Sequence, residues 1–388
     1  MILEVLNHTY QYEAEKLLRV FFPNEKIHVV FEKTENPEGA VLTTEITDTH
    51  ALAVFHDGKT AQKSEALLSG SDDKELLLAT QMYKVLTTVT GYTPKWGLLT
   101  GIRPSKLLIA LQEEMGKENA ARYFTERFFV SPEKTALAES VAARENAIIA
   151  TSKPNSCSLY VSIPFCPTRC SYCSFVSHAI SSPSVKKLIP DYVALLSQEI
   201  AETGKMAKEL GLNLESVYFG GGTPTTLNAE ELGALLSAVD KAIIFTPENI
   251  TVHTLSLKRS SNMGTSGTHF DRLQGRAADE MLHYAYKALT KQAYFPYYMY
   301  RQARTLGNLE NTGYTKDGFE CLYNIFMMEE CHTVFAVGAG AVTKLKAPHG
   351  KEIERIFNYK YPYEYISGFS ELQKRKAAIM EFYKKYGI

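Results

Sequence analysis

The 388-residue chain has almost no charge imbalance: 42 Lys and Arg face 43 Asp and Glu, for a formal net charge of −1. Nucleic-acid-binding surfaces ordinarily show a basic excess, so no nucleic-acid partner is expected. No run of about 18 uncharged apolar residues occurs, and no membrane span is expected. The opening residues, Met-Ile-Leu-Glu-Val-Leu-Asn-His, lack the basic and apolar stretches of a secretory signal, which points to a cytoplasmic location. Internal repeats and low-complexity tracts are missing too. Tryptophan occurs once, at Trp96, and cysteine six times. In a reducing compartment, clustered cysteines serve as metal ligands or catalytic groups more often than as disulfides. What the chain does contain is 45% hydrophobic residues, ample for sizeable cores, at a length that predicts two domains.

Three of the six cysteines fall within eight residues, Cys166, Cys170 and Cys173, spaced C-x3-C-x2-C. The apolar run 159–163 before them reads as a buried strand, which Pro164 and Pro167 stop and turn into a loop. Thiolates are soft ligands that hold iron–sulfur clusters or zinc. Structural zinc usually takes four ligands, often two C-x2-C pairs, and no second pair exists here: Cys321 and Cys331 lie ten apart and far downstream. A partial zinc site and coincidental thiols are the rival readings. Three thiolates on a [4Fe–4S] cluster leave one iron open, as a cofactor-activating cluster needs. A second signal follows a short strand at 216–219: Gly220-Gly221-Gly222-Thr223-Pro224-Thr225 permits a close backbone approach to a ligand. Alone it is weak, since it lacks both the G-x-G-x-x-G pattern and the P-loop lysine.

Taken in order, residues 1–90 read as an α+β domain with no chemical motif. Its helix at 72–89 puts Leu78, Met82, Val85, Leu86 and Val89 on one face. Residues 91–156 read as a helical connector, with Trp96 a packing anchor and Pro104 opening a helix that faces Leu107, Leu108, Leu111 and Met115 inward. Ser131-Pro132-Glu133 opens another helix through about Ile149, and 151–156 reads as a linker. From 159 onward strands and helices alternate: helices at 192–210, 230–239 and 277–291, strands at 249–255, 294–300 and 333–342. Such alternation implies parallel strands with functional loops at their C-terminal ends. His178 reads as a solvated loop histidine rather than a ligand. Tyr294, Tyr297, Tyr298 and Tyr300 with Arg301 read equally as a cleft for a flat anionic ligand or as a packed strand. The aromatic run 359–365 is open in the same way. Cys157, Cys321 and Cys331 read as ordinary buried thiols.

Together, Tyr160-Val161-Ser162-Ile163-Pro164-Phe165-Cys166 and Phe219-Gly220-Gly221-Gly222-Thr223-Pro224-Thr225 resemble the radical S-adenosylmethionine (SAM) superfamily. Within it they resemble the oxygen-independent coproporphyrinogen III oxidase family, whose close relatives include haem chaperones. The extra N-terminal region, Thr251-Val252-His253-Thr254-Leu255-Ser256 and Gly307-Asn308-Leu309-Glu310-Asn311 look like its bacillus-type coproporphyrinogen dehydrogenase branch. The resemblance covers roughly residues 90 to 388. It implies an α/β fold with a (βα)6 partial barrel over 157–300 and a family-specific region over 301–388. It implies a [4Fe–4S] cluster on Cys166, Cys170 and Cys173, with SAM chelating the fourth iron. Gly221, Gly222 and Thr223 would carry the cofactor's amino-acid end. Tyr160 matches a family cofactor contact, and Tyr172 would lie against the adenine or a second cofactor molecule; core packing is the alternative for each. No catalytic residue is assigned. The implied reaction is reductive cleavage to a 5′-deoxyadenosyl radical that oxidatively decarboxylates propionates of a porphyrinogen to vinyl groups, with flavodoxin or ferredoxin as the kind of reductant. A haem-binding chaperone of the same fold is the alternative; no His-Asn-x-x-Tyr-Trp stretch near the C-terminus supports it.

The sequence departs from that family in one place. After the helix at 230–239, residues 241–247 lead almost at once into 251–255, which resembles the sixth barrel strand. The third, fourth and fifth strand–helix units, at roughly 30 residues each, have no counterpart. Either the chain carries an internal deletion or two segments are joined across a gap.

Overall fold

The computed structural model describes all residues except 36, 38, 71–72, 102, 224–225, 229–230, 232–234, 236–248, 255, 257–260, 267–271, 303–304 and 388. Most of the helix expected at 230–239 and part of the strand expected at 249–255 therefore lie outside the described residues. Spatial proximity divides the chain into two compact units. One is Met1–Ala143, Ile250–Leu257 and Gly267–Asp317; the other is Arg144–Asn249, Lys258–Ser266 and Gly318–Ile388. This division follows neighbours in space, whereas the ranges read from the sequence follow chain order. Among the described residues no helix is long and apolar enough to cross a membrane.

The first unit begins with β1 (Ile2–Leu6), α1 (Gln11–Phe21), β2 (His28–Val30), β3 (Val41–Ile46), β4 (His50–His56), β5 (Ala61–Leu67) and α2 (Lys74–Thr90). The sheet order is β2-β1-β3-β4-β5, parallel around β1 and antiparallel from β3 onward. Asp57 makes the β4–β5 turn by accepting the Lys59 and Thr60 amides, while Gly58 takes φ +83°. Asp73 caps α2 by accepting the Leu76 amide at 3.0 Å, and Gly91 ends it in the left-handed region. Leu78, Met82, Val85 and Leu86 are buried in one core with Leu17, Leu18 and Phe21 of α1. Next come α3 (Pro104–Met115), α4 (Lys117–Glu126) and α5 (Pro132–Ile149). They form a second core around Trp96, whose indole N–H donates to Glu310 at 2.9 Å. Leu107, expected on the inner face of α3, points outward.

The second unit is built on β6 (Ser156–Ile163), followed by the short pair β7 (Phe165–Cys166) and β8 (His178–Ala179), then α6 (Ile189–Glu209) and β9 (Asn213–Gly221). The chain then returns to the first unit for β10 (Asn249–Val252), α7 (Arg272–Lys291), β11 (Phe295–Arg301) and β12 (Glu310–Thr315), and the second unit resumes with α8 (Leu322–Glu329). The chain closes with β13 (Thr333–Val337), β14 (Val342–Lys346), β15 (Ile353–Phe357), α9 (Pro362–Ser367), α10 (Phe369–Lys376) and α11 (Ala378–Lys384). The central sheet has the order β15-β14-β13-β6-β9, with β6 parallel to both neighbours. The stretch expected as one strand at 333–342 is two antiparallel strands. Gly338 and Gly340, at φ +91° and +73°, reverse the chain between them. The segment expected as the sixth barrel strand does not join this sheet: β10 lies in a separate sheet of order β10-β12-β11. Among the described residues, β9 is an edge of the central sheet.

Register gives β6 two different faces. Leu159 and Val161 lie opposite Val217 and Phe219 of β9, and opposite Phe335 and Val337 of β13. That face shares a core with Tyr192, Val193, Leu196 and Ile200 of α6. Ser158, Tyr160 and Ser162 point the other way, opposite Ser216, Tyr218 and Gly220. The strand is thus one-sided in its apolar character, and its polar face runs toward the cysteine loop.

Candidate functional site

At the C-terminal end of β6 the chain turns sharply and is held by backbone bonds. The His178 amide donates to the Pro164 carbonyl at 2.8 Å and the Ile180 amide to that of Cys166 at 2.9 Å. These bonds pin both ends of the loop that carries the cysteines. Cys170 is exposed, while Cys166 and Cys173 are half-buried. The Cys173 amide donates to the Cys170 carbonyl at 3.1 Å, closing the turn between them. Arg169 donates to the Ser177 carbonyl at 3.1 Å, which braces the returning arm.

The glycine turn at the end of β9 docks directly on this loop. The Gly222 amide donates to the Ile163 carbonyl at 2.7 Å, and the Thr223 amide to that of Phe165 at 2.8 Å. The Thr223 hydroxyl reaches the Cys166 sulfur at 3.5 Å. A Cβ on Gly222 would stand 2.5 Å from the Phe165 carbonyl oxygen and 2.9 Å from the Cys166 sulfur, so only glycine fits. Gly221 adopts φ +100°, a backbone conformation that a side chain would strain. A Cβ on Gly220 would press on the rings of Tyr160 and Tyr218 at 2.8 Å. The two signals read from the sequence are thus in contact.

Tyr160 stands on the polar face of β6, stacked on Tyr218 at 6.1 Å and on Tyr323 at 6.0 Å. Burial pushes its hydroxyl up to about 12, so it stays protonated at neutral pH. Tyr172 is 53% exposed on the loop, and its hydroxyl is raised by the neighbouring Cys170 sulfur. Core packing does not account for Tyr172. Among the described residues no three Cys, His, Asp or Glu side chains gather tightly enough for a single metal ion. A cluster asks for something else: each thiolate binds a different iron, so the sulfurs stay apart. The donor set, three thiolates on one loop beside a side-chain-free backbone turn, fits such a group.

Three other expectations meet the structure here. His178 is not a solvated loop histidine: its ring meets Tyr361 and Tyr363 edge-on at 6.1 and 6.4 Å. Burial, and then the Arg169 charge, lower its pKa below the usual value. The β7–β8 pairing puts it there, which no local pattern announces. Within the first unit, Tyr297 and Tyr298 are buried, and Arg301 donates to the carbonyls of Leu99 at 2.7 Å and Asn308 at 3.1 Å. The packed-strand reading holds for these three. Cys157 is buried and its thiol is pushed up to about 12 by burial, whereas Cys321 and Cys331 are only half-buried.

Sequence reasoning missed Ser162, Tyr192, Glu199 and the turn at Gly338. Ser162 donates to the Ala339 carbonyl at 2.8 Å, and Tyr192 donates to the Ser162 carbonyl at 2.9 Å. The pattern Gly338-Ala339-Gly340 after an apolar strand was the one available signal.

Comparison with known proteins bears on the same residues. The model of the Radical SAM superfamily matches residues 160–290. The chain is 29% identical to the oxygen-independent coproporphyrinogen-III oxidase-like protein HemZ of Bacillus subtilis, over 76% of this chain and 79% of the relative. That alignment runs over 399 residues, while 76% of 388 is about 295, so about 100 positions of the relative face no residue here. The chain is 27% identical to the oxygen-independent coproporphyrinogen III oxidase of Bradyrhizobium diazoefficiens, over 44% of this chain and 36% of that protein. It is 36% identical to the heme chaperone HemW of Bacillus subtilis, over 22% of this chain and 21% of that protein. No solved structure matches. The cysteine loop and the glycine turn that docks on it lie within the stretch that the Radical SAM superfamily model matches, and the chain is similar to oxygen-independent coproporphyrinogen III oxidase-like proteins; a [4Fe–4S] cluster and SAM are the cofactors that this likeness implies.

Proposed function

We propose that this chain is an oxidoreductase that converts propionate side chains of coproporphyrinogen III to vinyl groups without oxygen. Overall, each propionate gives up carbon dioxide, a proton and two electrons. The observation that supports this reading best is the docking of Gly222 and Thr223 on Ile163, Phe165 and Cys166. When bound and reduced, the cluster with SAM supplies a 5′-deoxyadenosyl radical that can remove a hydrogen atom from an unactivated carbon. The protein's share is binding, orientation and exclusion of water. Cys166, Cys170 and Cys173 hold the cluster. Gly221, Gly222 and Thr223 present backbone to the cofactor's amino-acid end, and the protonated Tyr160 walls the pocket from the strand face. Tyr172, exposed on the loop, covers the adenine or a second cofactor. A porphyrinogen is the substrate, and flavodoxin or ferredoxin the kind of reductant.

We assign residues 1–90 to an N-terminal α+β domain, 91–156 to a helical connector, 157–300 to a partial barrel and 301–388 to a family-specific region. The roughly 100 unmatched positions of HemZ equal about three strand–helix units, in keeping with a barrel that lacks its third to fifth strands. An intact mass near 43.4 kDa would establish a true deletion.

The second reading, a haem-binding delivery protein, draws on the likeness to HemW, which extends over about a fifth of the chain. One anaerobic experiment separates the two. Reconstituted protein is expected to carry iron and sulfide, to release 5′-deoxyadenosine with SAM and reductant, and to form vinyl products from coproporphyrinogen III. Cluster and haem binding without vinyl products would favour delivery, and zinc without labile sulfide would sink both.

A further inference from the structure

A buried carboxylate in α6 holds together three strand ends at the cofactor side of the sheet. Glu199 is 2% exposed and takes four donors. The Gly338 amide reaches it at 2.8 Å and the Tyr365 hydroxyl at 2.7 Å; the Asn358 side-chain amide comes within 2.8 Å and the Lys376 ammonium within 3.1 Å. A carboxylate has about four lone-pair sites, so this one is saturated. Asn358 also donates to the Gly338 carbonyl at 2.9 Å, so both backbone polar groups of Gly338 are gripped. Lys376 in turn donates to the Ala336 carbonyl at 2.7 Å.

The grip passes directly to the cysteine loop. A Cβ on Gly338 would stand 2.6 Å from both the Ser162 carbonyl oxygen and the Tyr192 hydroxyl, so the turn is pressed against the end of β6. Tyr192 accepts the Ala339 amide at 2.8 Å and donates to the Ser162 carbonyl, while Ser162 donates to the Ala339 carbonyl. One residue further, the Ile163 carbonyl accepts the Gly222 amide. The Ser162 hydroxyl also lies 3.1 Å from where a Gly221 Cβ would be. The ends of β13, β6 and β9 are thus tied in one line, with Glu199 at its far end and the glycine cradle at the other.

We infer that Glu199 is a positioning residue, acting through Gly338, Tyr192 and Ser162 to fix the backbone cradle on which SAM sits. This rests on the cofactor reading proposed above. A carboxylate here offers acceptors alone, and every group around it is a donor; glutamine would turn one acceptor into a donor and loosen the turn without changing its size. The effect belongs to cofactor affinity rather than to iron content, since none of these residues supplies a sulfur.

The test uses the full chain, reconstituted anaerobically, with SAM binding read from the change it causes in the electron paramagnetic resonance spectrum of the reduced cluster. Glu199→Gln, Tyr192→Phe and Ser162→Ala are compared with Ile200→Val, which trims the same core without touching the chain of bonds. Each of the first three is expected to keep its iron and to weaken SAM binding about threefold to tenfold, the size of one lost net hydrogen bond. Ile200→Val is expected to lower the melting temperature and bind SAM as wild type does. Should Glu199→Gln fail to fold, the other two variants carry the test. Wild-type protein that takes up no cluster, or whose spectrum ignores SAM, overturns the cofactor reading and this inference with it. A responsive wild type whose three variants bind SAM unchanged, or no more weakly than Ile200→Val, overturns this inference alone.

Discussion

The two ends of β6 are built on opposite plans. At its N-terminal end the strand's own serines, Ser156 and Ser158, are buried and partnered. Ser158 lies 2.7 Å from the Ser216 hydroxyl and 2.8 Å from His332, whose other ring nitrogen meets Ser152 at 2.8 Å. Ser156 donates to Glu215 at 2.7 Å. At the C-terminal end the sulfurs are exposed or half-buried, and the Cys166 sulfur meets the Thr223 hydroxyl at 3.5 Å. The difference teaches that a parallel strand divides its labour: one end is closed and stabilising, the other left open for chemistry.

Cysteine replacement gives the largest expected effect. Cys170→Ala should remove all cluster iron, measured by iron and sulfide analysis, while barely moving the unfolding midpoint, because the thiol is exposed. His332→Ala should do the reverse. It removes two hydrogen bonds, to the buried Ser158 and the half-buried Ser152, costing about 2 kcal/mol by urea unfolding, with iron per folded chain unchanged. If the cysteine variant unfolds as readily as the histidine variant, the division between the ends is wrong.

A pH titration sharpens the same contrast. Burial lowers the His332 pKa to about 4. Below the ordinary value of 6.5 the unfolded chain takes up a proton that the folded one refuses. Stability is then complete above about pH 6.5 and is lost as pH falls towards 4, by up to about 3 kcal/mol. Urea midpoints across that window should slope in wild type and flatten in His332→Gln. The smallest effect is expected from Thr223→Val. Stability should change by less than about 1 kcal/mol, but losing a donor to the Cys166 sulfur should make the cluster potential more negative, readable by redox titration. A potential that does not move would mean the 3.5 Å contact is incidental.

The open end was the more legible in the sequence, because there the side-chain types are themselves the chemistry. Cys166, Cys170, Cys173 and the run of three glycines announce themselves by identity and spacing. The closed end and the Glu199 line were not legible. Ser158, Ser216 and His332 come from three segments, and each looks ordinary until register sets them side by side. His178 was misread because a two-residue pairing with Phe165 turns it toward two tyrosines. Arg301 was legible as chemistry and turned out to serve packing, since its two terminal nitrogens donate to backbone carbonyls. Local propensity also shortened β9 and merged β13 with β14, because strand ends depend on partners rather than on composition.

The contrast between Cys157 and Cys170 has a practical consequence for handling the protein. A thiol reacts as its thiolate, and Cys170 is open to solvent while Cys157 is walled in with a pKa near 12. An alkylating reagent should label Cys170 in the first moments and reach Cys157 only when the central sheet opens. Mass spectrometry of a labelling time course would then report two quantities from one tube: early label shows how much of the cluster loop is empty, and late label at Cys157 shows how often the strand beneath it comes apart.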